Sequence, residues 1–176
     1  MFLKLEKVLL LSCVLLTGNC ITFAQKKGNL LTLGTECDFP ISKKLDFKFG
    51  YGLNTSFIMP GKKTGAAIIS FSYLKHQFEY FRYPSGGVPI FYKDYRDVYK
   101  ISAGAMLKLG GNWYNIAQAG IIIRQYKNTG GNANLLLSVG PSVFLPVGKN
   151  KIRLGLNAAY SGGLFANLTA AYGFSL

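Results

Sequence analysis

The stretch from Leu45 to Phe57 limits what this chain can become more than any other. Every second residue is apolar or nearly so: Leu45, Phe47, Phe49, Tyr51, Leu53, Thr55 and Phe57. Between them stand Asp46, Lys48, Gly50, Gly52, Asn54 and Ser56. A period of two belongs to a strand with two unlike faces. Extended at about 3.3 Å per residue, the stretch reaches roughly 43 Å. Tilted by about 40°, it still rises about 33 Å, enough to cross the hydrocarbon core of a bilayer.

The chain begins with Met-Phe-Leu-Lys-Leu-Glu-Lys, followed by an apolar run from Val8 to Leu16 and then Thr22-Phe23-Ala24. A basic start, a short apolar run and small residues three and one before a cut predict a secretory signal over 1–24, with the mature domain over 25–176. Lipidation at Cys20 is the alternative, and Asn19 suits it poorly. Lys4, Lys7 and Glu6 leave with the signal, so the net charge falls by one, from +13 to +12. The remaining cations are scattered and no nucleic-acid motif accompanies them, which argues against a nucleic-acid partner. Anionic lipid head groups and lipopolysaccharide phosphates suit them better. Cys37 and His76 are the only cysteine and histidine after residue 24. A lone cysteine forms neither an internal disulfide nor a cysteine-rich metal site, and no phosphate-loop pattern is present, so no metal or cofactor is expected.

Past residue 24 there is no apolar run of 18 residues and no sustained helical period. Alternation recurs instead, broken by turn residues. It predicts strands at about Leu30–Phe39, Leu45–Phe57, Ala66–Tyr80, Arg96–Leu109, Trp113–Tyr126, Asn134–Leu145 and Lys151–Tyr160, and an eighth ending at Leu176. Short turns such as Gly110-Gly111-Asn112 join most of them. The longest connection is expected over Phe81–Tyr95, and a second over Lys127–Ala133.

Two patterns decide which face is which. Gly34, Gly50, Gly52, Gly104, Gly120, Gly140, Gly155 and Gly173 all lie on the less apolar face of their strands. A small barrel has a narrow, crowded interior where residues without side chains make room. Lys48, Lys100, Arg124 and Arg153 fall on the same face, where they avoid a cost of about 2–4 kcal/mol each for facing lipid at mid-depth. With Glu36, Asp38 and Asp46 they are expected to form a charge network in the lumen, since a lone buried charge is costly. A barrel in water would carry its apolar face inside, so the fold class expected is an all-β, eight-stranded, antiparallel up-and-down transmembrane β-barrel.

The eight alternating segments and the ending Leu168-x-Ala170-x-Tyr172-x-Phe174-x-Leu176 resemble the small outer-membrane β-barrels of the OmpA/OmpX transmembrane type. That resemblance implies the outer membrane of a Gram-negative bacterium, with both termini in the periplasm. It also implies that Tyr172, Phe174 and Leu176 form a C-terminal signal read by the barrel-insertion machinery. The family's usual last residue is Phe, and here it is Leu176.

The function expected is non-catalytic: structural, adhesive or partner-binding through the outer loops. Tyr80, Phe81, Tyr83, Phe91, Tyr92 and Tyr95 cluster around the longest connection. They suit either an interfacial girdle or a projecting strand pair that offers rings and an edge to a protein partner. The alternatives are a narrow solute pore lined by the lumen cations and, more distantly, a lipid-A-modifying enzyme using His76. Ser70, Ser72 and Glu79 lie near His76 in sequence. Ser72 is about 13 Å from it along an extended strand, too far for a catalytic pair, so a serine such as Ser102 would have to come from a neighbouring strand.

Overall fold

In a bilayer no water is present to satisfy backbone N–H and C=O groups, so a sheet survives there only if it closes. This one does. The computed structural model describes residues 28–61, 65–82, 87–126 and 130–176. The expected signal segment 1–24 and Tyr83 lie outside them, and the side chains of Tyr80 and Phe81 are likewise outside the description. The strands are β1 (Leu30–Pro40), β2 (Phe49–Pro60), β3 (Gly65–Arg82), β4 (Ile90–Gly110), β5 (Trp113–Tyr126), β6 (Gly130–Val147), β7 (Asn150–Tyr160) and β8 (Leu164–Ser175). Each pairs antiparallel with the next, and β8 returns to β1 from Leu30↔Ser175 to Pro40↔Phe165, closing the barrel.

The polarity is inverted relative to a protein built for water. Leu53, Leu107, Leu109, Ile121, Leu135 and Leu156 stand exposed on the outside, while Thr32, Asp38, Ser56, Ser72 and His76 are buried within. Rings mark both ends of the apolar belt. Phe39 and Phe49 lie 5.1 Å apart and Tyr73 and Tyr99 5.3 Å apart at the loop end. Trp113 and the Tyr172–Phe174 pair, at 5.0 Å, lie at the terminal end. Such girdles flank the lipid-facing band of membrane barrels.

Several boundaries differ from those expected. The alternation starting at Leu45 does not continue as one strand. β2 begins at Phe49, and Leu45–Lys48 belong to the outer loop. Leu45 and Phe47, assigned by parity to the lipid face, instead turn inward over the barrel mouth, where Phe47 is buried against Leu74, Val98 and Phe165. The connection expected over Phe81–Tyr95 is shortened to residues 83–89, because β3 runs to Arg82 and β4 starts at Ile90. Likewise β6 starts at Gly130, inside the expected Lys127–Ala133 loop. Strand-forming aromatic and β-branched residues on both arms extend the first ladder past the point where the turn residues suggested a break.

Inside, the barrel is layered. Leu30, Ile58, Ile68, Met106, Ile116 and Phe144 fill the terminal end. Phe47, Leu74, Val98, Ile122, Leu136 and Phe165 fill the loop end. Polar side chains occupy the layer between. The inward glycines let the wall coil tightly around this filling. A Cβ on Gly104 would meet the Ala117 carbonyl oxygen at 1.9 Å, and one on Gly52 the Tyr73 carbonyl oxygen at 1.9 Å. These obstacles are backbone and cannot swing aside. Gly104→Ala is expected to destabilise the barrel by about 1–3 kcal/mol. The check is the urea midpoint at which the unheated, fast-migrating gel band of the folded barrel disappears.

Candidate functional site

The polar layer is organised by two carboxylates from β1. Glu36 and Asp38 sit two residues apart on one face, so both project into the lumen. Lys100 of β4 reaches across and donates to Glu36 Oε1 and Asp38 Oδ1, each at 2.7 Å. Asn167 of β8 donates to the same two oxygens at 2.6 and 2.9 Å. The second Glu36 oxygen accepts from Ser72 at 2.6 Å and from Asn54 at 2.9 Å. The second Asp38 oxygen lies 2.8 Å from His76 Nε2. Both carboxylates are thus satisfied on both oxygens, as burial requires.

The other expected members of the network are placed differently. Arg153 is 2% exposed and donates to Ser56 Oγ at 3.1 Å, below the carboxylates. Arg124 lies toward the loop end, where it donates to the Ser161 carbonyl at 3.2 Å. Asp46 and Lys48 are not in the lumen. Their side chains are 61% and 68% exposed, with Asp46 paired to Arg96 and Lys48 lying 3.8 Å from Glu79. The parity that put them inside applies only along a continuous strand, and the chain leaves the sheet before Phe49. Asn54, Ser72 and Asn167 are the partners that counting charges overlooked. Their signal was polar character at inward positions level with Glu36: Glu36 pairs with Gly52 and Thr169, one pleat from these residues.

The chemistry open to this layer is narrow. Phe47 stacks on His76 with ring centroids 4.1 Å apart and covers it from the loop end. His76 is held by Asp38, and Ser72 is held by Glu36 and by Asn54 Nδ2 at 2.9 Å. The cavity among Glu36, Ser70, Lys100, Gln118, Arg153 and Asn157 measures about 30 Å³. That is room for about two waters.

The second candidate lies outside the membrane belt. β2 stops pairing with β3 at Phe49↔Gln77, and β5 stops pairing with β4 at Asp97↔Gln125. β3 and β4 continue together to Arg82↔Ile90. The hairpin therefore runs five pairs, about 17 Å, past its neighbours, with both edges unpaired to other strands. Phe91 and Tyr95 are exposed on one face with Lys93, whose Nζ lies 6.0 Å from the Phe91 ring. Tyr92 is half-buried and alternates to the other face. There Arg96 sits 3.9 Å from the Phe78 ring and pairs with Asp46. At the opposite end of the barrel, the Tyr172 hydroxyl accepts from Asn150 at 2.8 Å, and the Leu176 amide donates to the Asn29 carbonyl at 3.0 Å.

Among solved structures, the crystal structure of Ail, the attachment invasion locus protein of Yersinia pestis, in complex with the heparin analogue sucrose octasulfate is similar. It shows a TM-score of 0.53 and 16% identity over 84% of this chain and 99% of that one. The structure of Ail from Yersinia pestis in a phospholipid bilayer nanodisc gives 0.56 and 12% identity, over 85% and 99%. This is the fold of the small eight-stranded outer-membrane barrels. At these identities the likeness concerns the fold alone. No protein-family model matches the chain, and no curated protein matches it by sequence.

Removing Lys100 would leave Glu36 and Asp38 without their shared cation. Lys100→Met is expected to cost about 3–5 kcal/mol. Adding Glu36→Gln should recover part of that loss, because one buried charge disappears. Urea titrations of the single and double variants in lipid vesicles check both the loss and its recovery.

Proposed function

We propose that this protein is a non-catalytic outer-membrane barrel that acts through its projecting β3–β4 hairpin, as an adhesin or as a dock for a protein partner. The observation that carries this is the hairpin itself. It runs past the neighbouring strands, pairs with no other described strand along either edge, and exposes Ile90, Phe91 and Tyr95. Free edges pair with added strands, and exposed rings supply contact area at low entropic cost. Lys43, Lys44, Lys75 and Lys93 are exposed at the same end. They suit anionic surfaces, including lipopolysaccharide phosphates, and the sucrose octasulfate bound to Ail supports trying a sulfated polysaccharide first. Tyr172, Phe174 and Leu176 at the end of β8 remain our candidate contact for the barrel-insertion machinery, and residues 1–24 our candidate export signal.

The layered lumen weighs against the pore, since apolar layers lie on both sides of a cavity of about 30 Å³. The enzyme reading is disfavoured because His76 lies under Phe47 and hydrogen-bonds a carboxylate rather than a serine.

Cells displaying the protein should adhere to heparin-coated or host-cell surfaces more than cells without it. Phe91→Ser with Tyr95→Ser should reduce that adhesion about tenfold while leaving the heat-modifiable gel shift intact. Loss of one or two exposed aromatic anchors at an interface commonly costs this much. Equal adhesion by the variant would remove the hairpin from the function. Single-channel current across planar bilayers would revive the pore.

A further inference from the structure

Charge is divided unequally between the two ends of the barrel. Every described acid (Glu36, Asp38, Asp46, Glu79, Asp94 and Asp97) lies between the middle layer and the loop end. The terminal end, which faces the periplasm in an outer-membrane orientation, carries exposed Lys108, Lys149 and Lys151 and no described acidic side chain. None of the three makes an ion pair within 4.0 Å among the described residues.

Two of these lysines share a cavity. Lys108 of β4 and Lys151 of β7 occupy inward positions, so they face the barrel axis and not the surrounding lipid. They line a mouth of about 210 Å³ whose other walls include Leu30, Ile58, Met106 and Phe144. Below it lies the apolar layer that closes this end. Cations with no described acidic side chain beside them, above an apolar floor, have the polarity of a site for an anionic amphiphile. The chain's own start is a poor occupant, because Lys26 and Lys27 stand just before Gly28 and would add like charge.

We propose that this mouth binds a single-chain anionic amphiphile. Its phosphate or carboxylate head would lie between Lys108 and Lys151, and its alkyl chain would lie on the floor around Met106. A double-chain lipid of the surrounding bilayer has no way in through the closed wall, so the ligand enters from the aqueous side.

Met106 gives the site its own reporter. Protein labelled with ¹³C at the methionine methyls would be placed in phosphatidylcholine nanodiscs and titrated with octyl phosphate. The expected result is a saturable shift of the Met106 methyl signal, with Met59 on the other face of β2 unmoved. Lys108→Gln with Lys151→Gln should weaken binding about tenfold or more, at roughly one favourable contact per lysine. That variant should keep the heat-modifiable gel shift. Three results would overturn the proposal: no Met106 shift, an equal response to octanol, or binding unchanged in the double variant. Inorganic phosphate binding as tightly as octyl phosphate would also overturn it, by removing the alkyl chain from the recognition. Carboxylate and phosphate heads are separated by repeating the titration with octanoate.

Discussion

Closure of β8 onto β1 is the contact on which everything else rests. Eleven register pairs from Leu30↔Ser175 to Pro40↔Phe165 join the two ends of the sheet. Without them, both edges would present bare N–H and C=O groups to hydrocarbon, at several kcal/mol for each unsatisfied group. The other seven pairings can form locally between neighbours in sequence. This one joins residues more than a hundred positions apart, so it is also the contact with the largest loop-closure cost. The aromatic and aliphatic residues that end β8 therefore serve a sheet that is stable only when complete.

A closed wall of eight strands leaves an interior just wide enough for side chains, and this chain fills it in an ordered way. The carboxylates of β1 meet Lys100 from β4, Ser72 and His76 from β3 and Asn167 from β8. The bonds from β3 and β4 reach strands that β1 does not pair with and so cross the lumen, while Asn167 reinforces the β1–β8 seam from inside. Apolar layers above and below keep water from competing with them, and a fully satisfied polar network in such surroundings is both rigid and specific. The result is a strut across the barrel more than a passage through it.

The wall was legible in the sequence because a period of two survives wherever a strand separates lipid from lumen. The inward placement of Glu36, Asp38, Lys100 and Arg153 follows from that parity alone. Parity failed where the chain left the sheet. Leu45 and Phe47 kept the rhythm of β2, yet they belong to a loop whose apolar residues had a second place to hide, over the mouth of the barrel. Asp46 and Lys48 were carried outward by the same turn. The neutral partners of the carboxylates were harder to name, since Asn54 and Asn167 announce only that they are polar. Which of them meets Glu36 depends on shear between strands, and no local pattern records it. The length of the β3–β4 hairpin was hidden for a related reason. Nothing in Phe78–Arg82 says that β2 has already ended.

The alternation that builds the wall also governs the chain before there is a wall. A segment whose every second residue is polar or glycine never presents a long continuous apolar surface as a helix. Export machinery that halts on apolar helices would therefore let each of these strands through, although the finished protein is covered in leucine, isoleucine and valine. The membrane-seeking character is divided into eight portions, none sufficient alone, and becomes whole only when the strands stand side by side. Crossing one membrane unnoticed and settling in another are consequences of the same two-residue rhythm.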